Sequence, residues 1–467
     1  MDNKTSKIDM LQGPLWNKIP LFALPVAATA ILEQLFNAAD LAVIGNFASG
    51  DKTAAVAAIG ANSPVTGLLL MLFLGISLGA NVVIANAIGR NDEKTVHHTV
   101  HTSIVIALGG GLLVMGIGQL IAAPLLDMLH VPDDVFPLAL LYLRIYLLGL
   151  PAIFLYNFES AIFRSIGNTK VPLQALAMAG VLNVILNLFF VIVLGMTVNG
   201  VAIATVLSNV ISSSILLRRL IKTDSIIRVD LKKLRIHKDC LKRILKIGLP
   251  SGIQNAVFSL SNIVIQSAIN SLGTTVIAAS SAAFNIEIIA YYVLNSFSQA
   301  CTTFVGQNYG AGNLKRCRKV LKLCLIEDFI ASASTIVLVL IFGRFLLSLF
   351  TDQPEVIDIG YTRLVLVFSA YTFSMLYENM SGYLRGFGIS LLPAILTTIG
   401  VCGTRITWIY TIFQSCHTFE SIMIAYPVSL AITAVLIFLA LLYCKPSKKL
   451  TYLVKNQIEQ SGSEATD

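Results

Sequence analysis

A few charged residues interrupt long apolar stretches of this chain. Asp40 lies about two-thirds along the run 17–46, and Glu287, Glu378 and Arg405 lie in later runs of the same kind. A charged side chain inside a bilayer is costly, so each of these residues is a candidate for ion or substrate binding. A carboxylate in such a setting can carry a proton or hold a small cation.

Neutral polar residues could complete a site around a carboxylate. Asn183 and Asn187 are four residues apart and share one face of a helix, and Thr205 is a third polar group in the next apolar run. The alternative is that these side chains only link neighbouring helices by hydrogen bonds.

The sequence provides little support for a catalytic site or a metal-binding site. His97 and His101 share a helix face beside His98, but no glutamate completes an HExxH pattern, so we expect no metal site. The chain has no nucleophile–base set and no glycine-rich phosphate loop, so we expect neither an enzyme nor a bound cofactor.

The elements that carry these residues are predicted to span a membrane. Of 467 residues, 12% are charged and 56% apolar, whereas soluble domains have about 25% charged residues. Windows of about 19 residues predict twelve spanning helices, the first of them retained and not a signal peptide. The predicted limits are 17–46, 54–85, 97–126, 135–165, 171–195, 199–220, 243–271, 275–306, 318–350, 356–386, 391–413 and 420–444.

The basic residues predict the orientation. Alternate loops hold 28 of the 33 lysines and arginines, whereas the opposite loops hold Lys52 alone. Cytoplasmic loops carry the positive excess, so both termini are predicted to be cytoplasmic, and the net charge of +8 reports topology and not a nucleic-acid partner. The predicted divisions are a cytoplasmic N-terminus 1–16, a six-helix bundle 17–221, a cytoplasmic linker 222–242, a second bundle 243–444 and a cytoplasmic tail 445–467.

The two halves of the chain resemble each other. Residues 86–92 match residues 307–313 at an offset of 221. The same offset pairs Arg164 with Arg385, Gly167 with Gly388 and Pro172 with Pro393. Because six spans per repeat is an even number, the repeats are parallel, and the two bundles are predicted to be related by a pseudo-two-fold axis along the membrane normal.

These features together resemble the multidrug and toxic compound extrusion (MATE) family. The resemblance rests on residues 24–45, 89–92, the turns 163–167 and 384–388, and the six-plus-six repeat, and it extends over about 15–445. It implies a bacterial secondary transporter that exports amphipathic or cationic drug-like molecules against H⁺ or Na⁺ by alternating access. It also implies a location in the cell membrane, and we expect a monomer.

The resemblance also implies roles for the residues of the first half. Asp40 stands fifteen residues after Pro25 and matches the family's first-span carboxylate, which is the protonation or cation site. Asn183, Asn187 and Thr205 match the surrounding cation network. Some members carry a second carboxylate where this chain has Asn187, a departure that argues against tight Na⁺ binding.

The second half is predicted to differ. The counterpart of Asp40 is Ile265, and the charges are instead Glu287, Glu378 and Arg405. An arginine within a span needs a carboxylate, so we expect Arg405 to pair with one of the two glutamates and to leave the other free for substrate or protons. The alternative is a pair that only locks the bundle.

Four further acids lie within predicted spans. Glu33 is close to the face of Asp40, and Glu159 is expected beside Arg164. Glu327 and Asp328 are expected just inside span 9, near Lys322.

Two other functions remain open. One is a lipid-linked precursor flippase of the same fold, and the other is a membrane-embedded lipid-modifying enzyme.

Overall fold

The chain folds into helices throughout its described part. The computed structural model describes residues 7–48 and 51–446, and all regular secondary structure there is helical. The α-helices are α1 Lys18–Phe47, α2 Lys52–Gly89, α3 Glu93–Met128, α4 Phe136–Leu148, α5 Leu150–Ser165, α6 Lys170–Leu188, α7 Val198–Lys222, α8 Lys238–Asn270, α9 Thr274–Gly310, α10 Leu314–Ser348, α11 Pro354–Phe368, α12 Tyr371–Gly386, α13 Leu391–Thr397, α14 Thr404–Tyr410, α15 Ile412–Cys416 and α16 Phe419–Cys444. The predicted tail from residue 447 onward and residues 1–6 lie outside the described part.

These helices account for the twelve predicted spans and confirm the all-α membrane fold. Nine spans in the described chain are long and apolar enough to cross a bilayer, counting Lys170–Val193 and Leu391–Cys416 as one span each. The bent pairs α4–α5 and α11–α12 provide two more, with bends of 48° and 46°. The twelfth predicted span corresponds to the 33-residue helix α8, which is less apolar than the other eleven because serine, asparagine and glutamine recur along it after its basic first turns.

The bend between α4 and α5 has a local cause. Gly149 separates the two helices and Pro151 lies in the first turn of α5. Proline has no N–H for the preceding turn and its ring crowds the carbonyl four residues earlier, so a continuous helix is disfavoured there.

Two compact units divide the chain. The first contains Pro25–Ile84 and Asp92–Gly252, and the second contains Asp9–Leu24, Ala85–Asn91 and the described chain from Ile253 onward. Three helices, α1, α2 and α8, therefore contribute to both units. The bundle boundaries 17–221 and 243–444 remain a prediction, because they follow the sequence repeat and not spatial contacts.

Glycines allow α2 and α8 to approach closely within the first unit. A Cβ atom on Gly75 would lie 2.1 Å from the backbone nitrogen of Gly252, and one on Gly79 would lie 2.8 Å from that of Gly248. Any larger residue at these positions would clash with the backbone of the facing helix. Helices in membranes associate through small residues of this kind. The spacing of four on both helices thus sets where they cross.

Equivalent positions of the two repeats adopt the same backbone conformation. Gly167 follows α5 with φ +82°, and Gly388 follows α12 with φ +80°. Each N–H donates to the carbonyl three residues earlier, on Arg164 at 2.9 Å and on Arg385 at 2.8 Å. Glycine adopts this left-handed conformation without a Cβ penalty, which explains why both helices end there.

The linker between α7 and α8 is attached to α3. His101 is fully buried; its Nδ1 lies 2.8 Å from the His97 carbonyl and its Nε2 accepts the backbone N–H of Asp230 at 3.0 Å. The His237 N–H donates to Thr102 at 3.1 Å. These two hydrogen bonds hold the linker against α3 and form what we call the histidine anchor. No group of side chains in the described chain is suited to a metal ion there.

Candidate functional site

Asp40 is the centre of a polar site within the first unit. Its carboxylate is only 6% exposed, and it accepts one hydrogen bond from each of two other helices. The Asn187 Nδ2 on α6 lies 2.5 Å from Asp40 Oδ1, and the Thr205 Oγ1 on α7 lies 3.0 Å from Oδ2. Both carboxylate oxygens are therefore satisfied by neutral donors.

Asn183 closes the network into a ring. Its Oδ1 accepts a second bond from Asn187 Nδ2 at 3.1 Å, and its Nδ2 donates to Thr205 Oγ1 at 3.5 Å. The i, i+4 spacing of the asparagines therefore places both amides on the face that meets α1 and α7. The four predicted residues lie together, and their role in cation coupling remains a prediction.

No positive charge compensates Asp40 within the described chain. Its contacts there are the amides and the hydroxyl, and the ion pairs found elsewhere do not include it. The Asn187 Oδ1 is buried and has no hydrogen-bond partner in the part of the chain that the structure describes. A buried carboxylate without a cation is costly unless it takes up a proton or a cation, and an unused acceptor oxygen beside it offers a contact to either.

Helix architecture fixes the depth of this site. Asp40 lies seven residues before the end of α1, which corresponds to about 10 Å along the helix axis. Directly after Asn187, α6 passes into a π-helical segment, Phe189–Val193. Such segments are rare and are frequent at functional sites, because their wider turn re-aims the neighbouring side chains.

In the second unit, the buried carboxylate of Glu287 forms a salt bridge, unlike that of Asp40. The Arg363 guanidinium donates to Glu287 Oε2 through Nη2 at 2.9 Å and Nε at 3.1 Å, and its Nη1 donates to Ser280 at 2.7 Å. Arg363 is 3% exposed, and the phenol of Tyr371 lies 3.5 Å from the other carboxylate oxygen. This arrangement satisfies a buried pair by both charge and hydrogen bonds.

The expected pairing of Arg405 with a glutamate is wrong. Its Nε donates to Ser429 Oγ at 3.1 Å, and its guanidinium carbon lies 4.0 Å from the ring centroid of Tyr426. Within the described chain Arg405 has no carboxylate partner, although it is 6% exposed. A cation–π contact and a hydroxyl thus replace the expected carboxylate.

Glu378 is not free either. The Arg385 Nη2 lies 3.4 Å from Glu378 Oε2, on the same helix and seven residues away. The expectation that one glutamate stays unpaired is therefore wrong, since both are matched with arginines other than Arg405. Seven residues make two helical turns, so this partner could have been found from the spacing.

The expectation for Glu159 is also wrong. The residue is fully buried, and neither of its carboxylate oxygens has a hydrogen-bond partner in the described chain. Arg164 instead interacts electrostatically with Glu33 of α1. The five-residue spacing misled because it turns Arg164 away from Glu159 by about 140° around the helix.

Sequence reasoning also missed two buried residues. Arg363 is an arginine inside a predicted span, as Arg405 is, and that signal was sufficient to find it. Asn379 is adjacent to Glu378 and contacts Asp328 of α10, and nothing in the sequence indicates this contact.

Comparison with known proteins decides the family. The MatE family model matches residues 25–189 and 250–411, which include most of the two repeats and, of the Asp40 site, Asp40, Asn183 and Asn187. The chain belongs to the MATE family. The two matched segments follow the two repeats, and each begins at the proline of its first span, Pro25 or Pro250.

Individual MATE relatives match over nearly the whole length. The probable multidrug resistance protein YoeA of Bacillus subtilis is 24% identical, covering 94% of this chain and 96% of its own. The probable multidrug resistance protein NorM of Thermotoga maritima is 26% identical, covering 82% of each chain. An outward-facing multidrug resistance MATE transporter structure superposes with a TM-score of 0.87 at 21% identity, covering 96% of this chain and all of that chain.

These comparisons confirm the class of protein. MATE proteins are transporters and not enzymes, and the long apolar helices agree with a multi-pass membrane protein. The alternative of a membrane-embedded lipid-modifying enzyme is therefore set aside.

Proposed function

We propose that this protein is a cation-coupled exporter of amphipathic, often cationic, small molecules. The single observation that carries the proposal is the buried Asp40 carboxylate, held by neutral donors and without a cation in the described chain. A proton or Na⁺ at Asp40 neutralises the only formal charge of this site. The bound ion thereby changes which hydrogen bonds join α1 to α6 and α7.

Ion binding is coupled to export if the inward-facing and outward-facing conformations bind the ion with different affinities. A ligand shifts an equilibrium only by its differential affinity for the two states. Asp40 contacts helices through side chains alone, so a small displacement of α1 changes the number of donors that it meets. Ion binding in one state and release in the other then drive substrate in the opposite direction.

The cargo, location and assembly belong to the same proposal. The names of the relatives from Bacillus subtilis and Thermotoga maritima support drug-like small molecules. The concentration of lysine and arginine in alternate loops supports insertion in the plasma membrane with both termini cytoplasmic. We propose a monomer that needs no cofactor beyond the coupling ion, H⁺ or Na⁺.

One observation favours a second candidate, a transporter of anionic cargo such as a lipid-linked precursor. Arg405 is buried against Tyr426 and has no carboxylate partner in the described chain. A buried guanidinium of this kind is suited to a phosphate or carboxylate group. Replacing Arg405 by Gln should then abolish transport of anionic dyes, whereas the leading proposal predicts continued efflux of cationic dyes.

Dye efflux from proteoliposomes tests the leading proposal. A proton gradient and a Na⁺ gradient are imposed separately on wild type and Asp40→Asn. Wild type should respond to one gradient, and Asp40→Asn should lose that response while retaining dye binding. Asp358→Asn is a matched control, since its carboxylate forms an exposed pair with Arg344. Normal transport by Asp40→Asn under both gradients would refute the mechanism.

A further inference from the structure

A second buried aspartate, in the second unit, has the same kind of surroundings as Asp40. Asp328 on α10 is fully buried, and its Oδ2 accepts from Asn379 Nδ2 of α12 at 2.5 Å. Its Oδ1 accepts from Ser332 Oγ at 2.8 Å. Asp40 likewise has one amide donor at 2.5 Å and one hydroxyl donor at 3.0 Å. Two unrelated helix crossings have therefore produced the same set of donors.

The amide beside Asp328 has an unused acceptor. Asn379 is fully buried, and among the described residues its Oδ1 has no hydrogen-bond partner, as is also true of Asn187 Oδ1 beside Asp40. An amide carries donors on one end and an acceptor on the other. Nδ2 can donate to an ionised carboxylate, and rotation of the amide brings Oδ1 to accept the O–H of a protonated one.

Asp328 lacks the arginine partner that Glu287 and Glu378 have in this unit. Within the described chain Glu287 pairs with Arg363 and Glu378 pairs with Arg385, whereas the contacts of Asp328 are neutral. An ionised carboxylate that is fully buried and unpaired is strongly disfavoured. Proton uptake is the change that removes this cost.

The neighbouring titratable groups supply no positive charge to Asp328 directly. They are Glu327 and Cys324 on α10, Cys301 on α9, and Glu378 on α12 with Arg385 beside it. The helix α11 also packs on α10, but Arg363 points to Glu287 and Tyr361 donates to the Leu340 carbonyl. Neither carboxylate oxygen of Glu327 has a hydrogen-bond partner in the described chain.

Asp328 lies a short distance along α10 from the basic residues at the start of the helix, so a proton from that end has little distance to cross. Five basic residues lie between Lys315 and Lys322, and Asp328 is six residues beyond the last of them. At 1.5 Å per residue this is about 9 Å along the axis. The expectation that Asp328 lies near Lys322 agrees with this position, but the side chain faces α12 and not the loop.

We propose that Asp328, held by Asn379 and Ser332, is a second proton-binding site of this protein. The site exists independently of transport, whereas its use as a second coupling site rests on the proposed function. In that role, Asp40 and Asp328 each carry a proton in a unit of its own, and each transport cycle exchanges one proton more than Asp40 alone can supply.

Infrared difference spectra of the purified full chain test the binding site without any transport assay. Acidification of wild type should produce carboxylic-acid carbonyl bands from buried side chains. Asp328→Asn should remove one of these bands and Asp40→Asn a different one. Ser332→Ala should shift the Asp328 band without removing it, because the acid loses one hydrogen-bond partner. Asp358→Asn, at an exposed ion pair, should leave both bands unchanged.

The outcomes separate this inference from the proposed function. If Asp328→Asn removes no pH-dependent band while Ser332→Ala also leaves every band in place, the carboxyl group does not titrate and the inference is wrong. If the Asp328 band is present but Asp40→Asn transports normally, the proposed coupling mechanism fails and the binding site stands. A proton count per substrate that falls in Asp328→Asn proteoliposomes would support the coupling role, and an unchanged count would overturn it.

Discussion

The Asp40 site of the first unit and the Glu287–Arg363 site of the second unit stabilise a buried carboxylate in two different ways. Each buries a carboxylate among helices, but Asp40 receives neutral donors and Glu287 receives an arginine. The residues 221 positions before Glu287 and Arg363 are Thr66 and Tyr142, so the first repeat has no such pair. Glu287 already has a counter-charge in Arg363, whereas Asp40, which is held by neutral donors, can still bind an ion.

The largest effect should come from breaking the compensated pair. Arg363→Met leaves Glu287 buried without a cation and should destabilise the protein by about 3–5 kcal/mol. Thermal unfolding in detergent measures this loss. The double variant Arg363→Met with Glu287→Leu should recover most of it, because neither charge remains. A single variant as stable as wild type would show that the pair is not a structural lock.

A smaller effect should come from removing one donor at Asp40. Thr205→Val keeps the shape of the side chain but deletes the hydroxyl that donates to Asp40 Oδ2. A hydrogen bond to a charged group contributes about 1.5–3 kcal/mol, so the ionised state should lose stability within this range. Unfolding at neutral pH measures it, with Thr205→Ser as the control that keeps the hydroxyl. Equal losses in both variants would assign the effect to packing.

Removal of the Asp40 charge itself should affect stability less than either of the two preceding changes. Asp40→Asn deletes an uncompensated charge and can still accept from Thr205, so we expect a change below about 1 kcal/mol. The contrast with Arg363→Met is the sharpest test of the comparison, because both variants remove one buried charge. If Asp40→Asn is destabilised as strongly as Arg363→Met, Asp40 has a structural role like that of Glu287.

The smallest effect should come from the histidine anchor of the linker. Burial and the neighbouring His98 lower the pKa of His237 from 6.5. As pH falls, the unfolded linker therefore binds more protons than the folded one. The anchor contributes its full stabilising free energy above about pH 6.5, and this contribution decreases below that pH. Hydrogen exchange over residues 223–237 measures this loosening, and His237→Gln should reduce its dependence on pH. If transport by His237→Gln depends on pH as it does in wild type, another group causes that dependence, and Asp40 is the first candidate.

Much of the fold could be predicted from the sequence, because membrane insertion imposes strong patterns on it. Apolar runs of about 20 residues, basic loops and the repeat offset give twelve helices, and the i, i+4 spacing places Asn183 and Asn187 on one face. The position of Asp40 within the first span matched a family pattern, and the network around it lies where that pattern implied. These features depend on local periodicity and on the cost of polar groups in lipid.

The tertiary structure decided which charges meet. Arg405 contacts Tyr426 and Ser429, Glu287 contacts Arg363, and Asp328 contacts Asn379, each across a distance in sequence that no pattern encodes. The units also take pieces of α1, α2 and α8 that a linear division assigns elsewhere. From the sequence, the cost of a buried charge predicts that a charged partner, a proton or a bound ion is favoured. Only the crossing of particular helices in the folded chain determines which partner a charge meets.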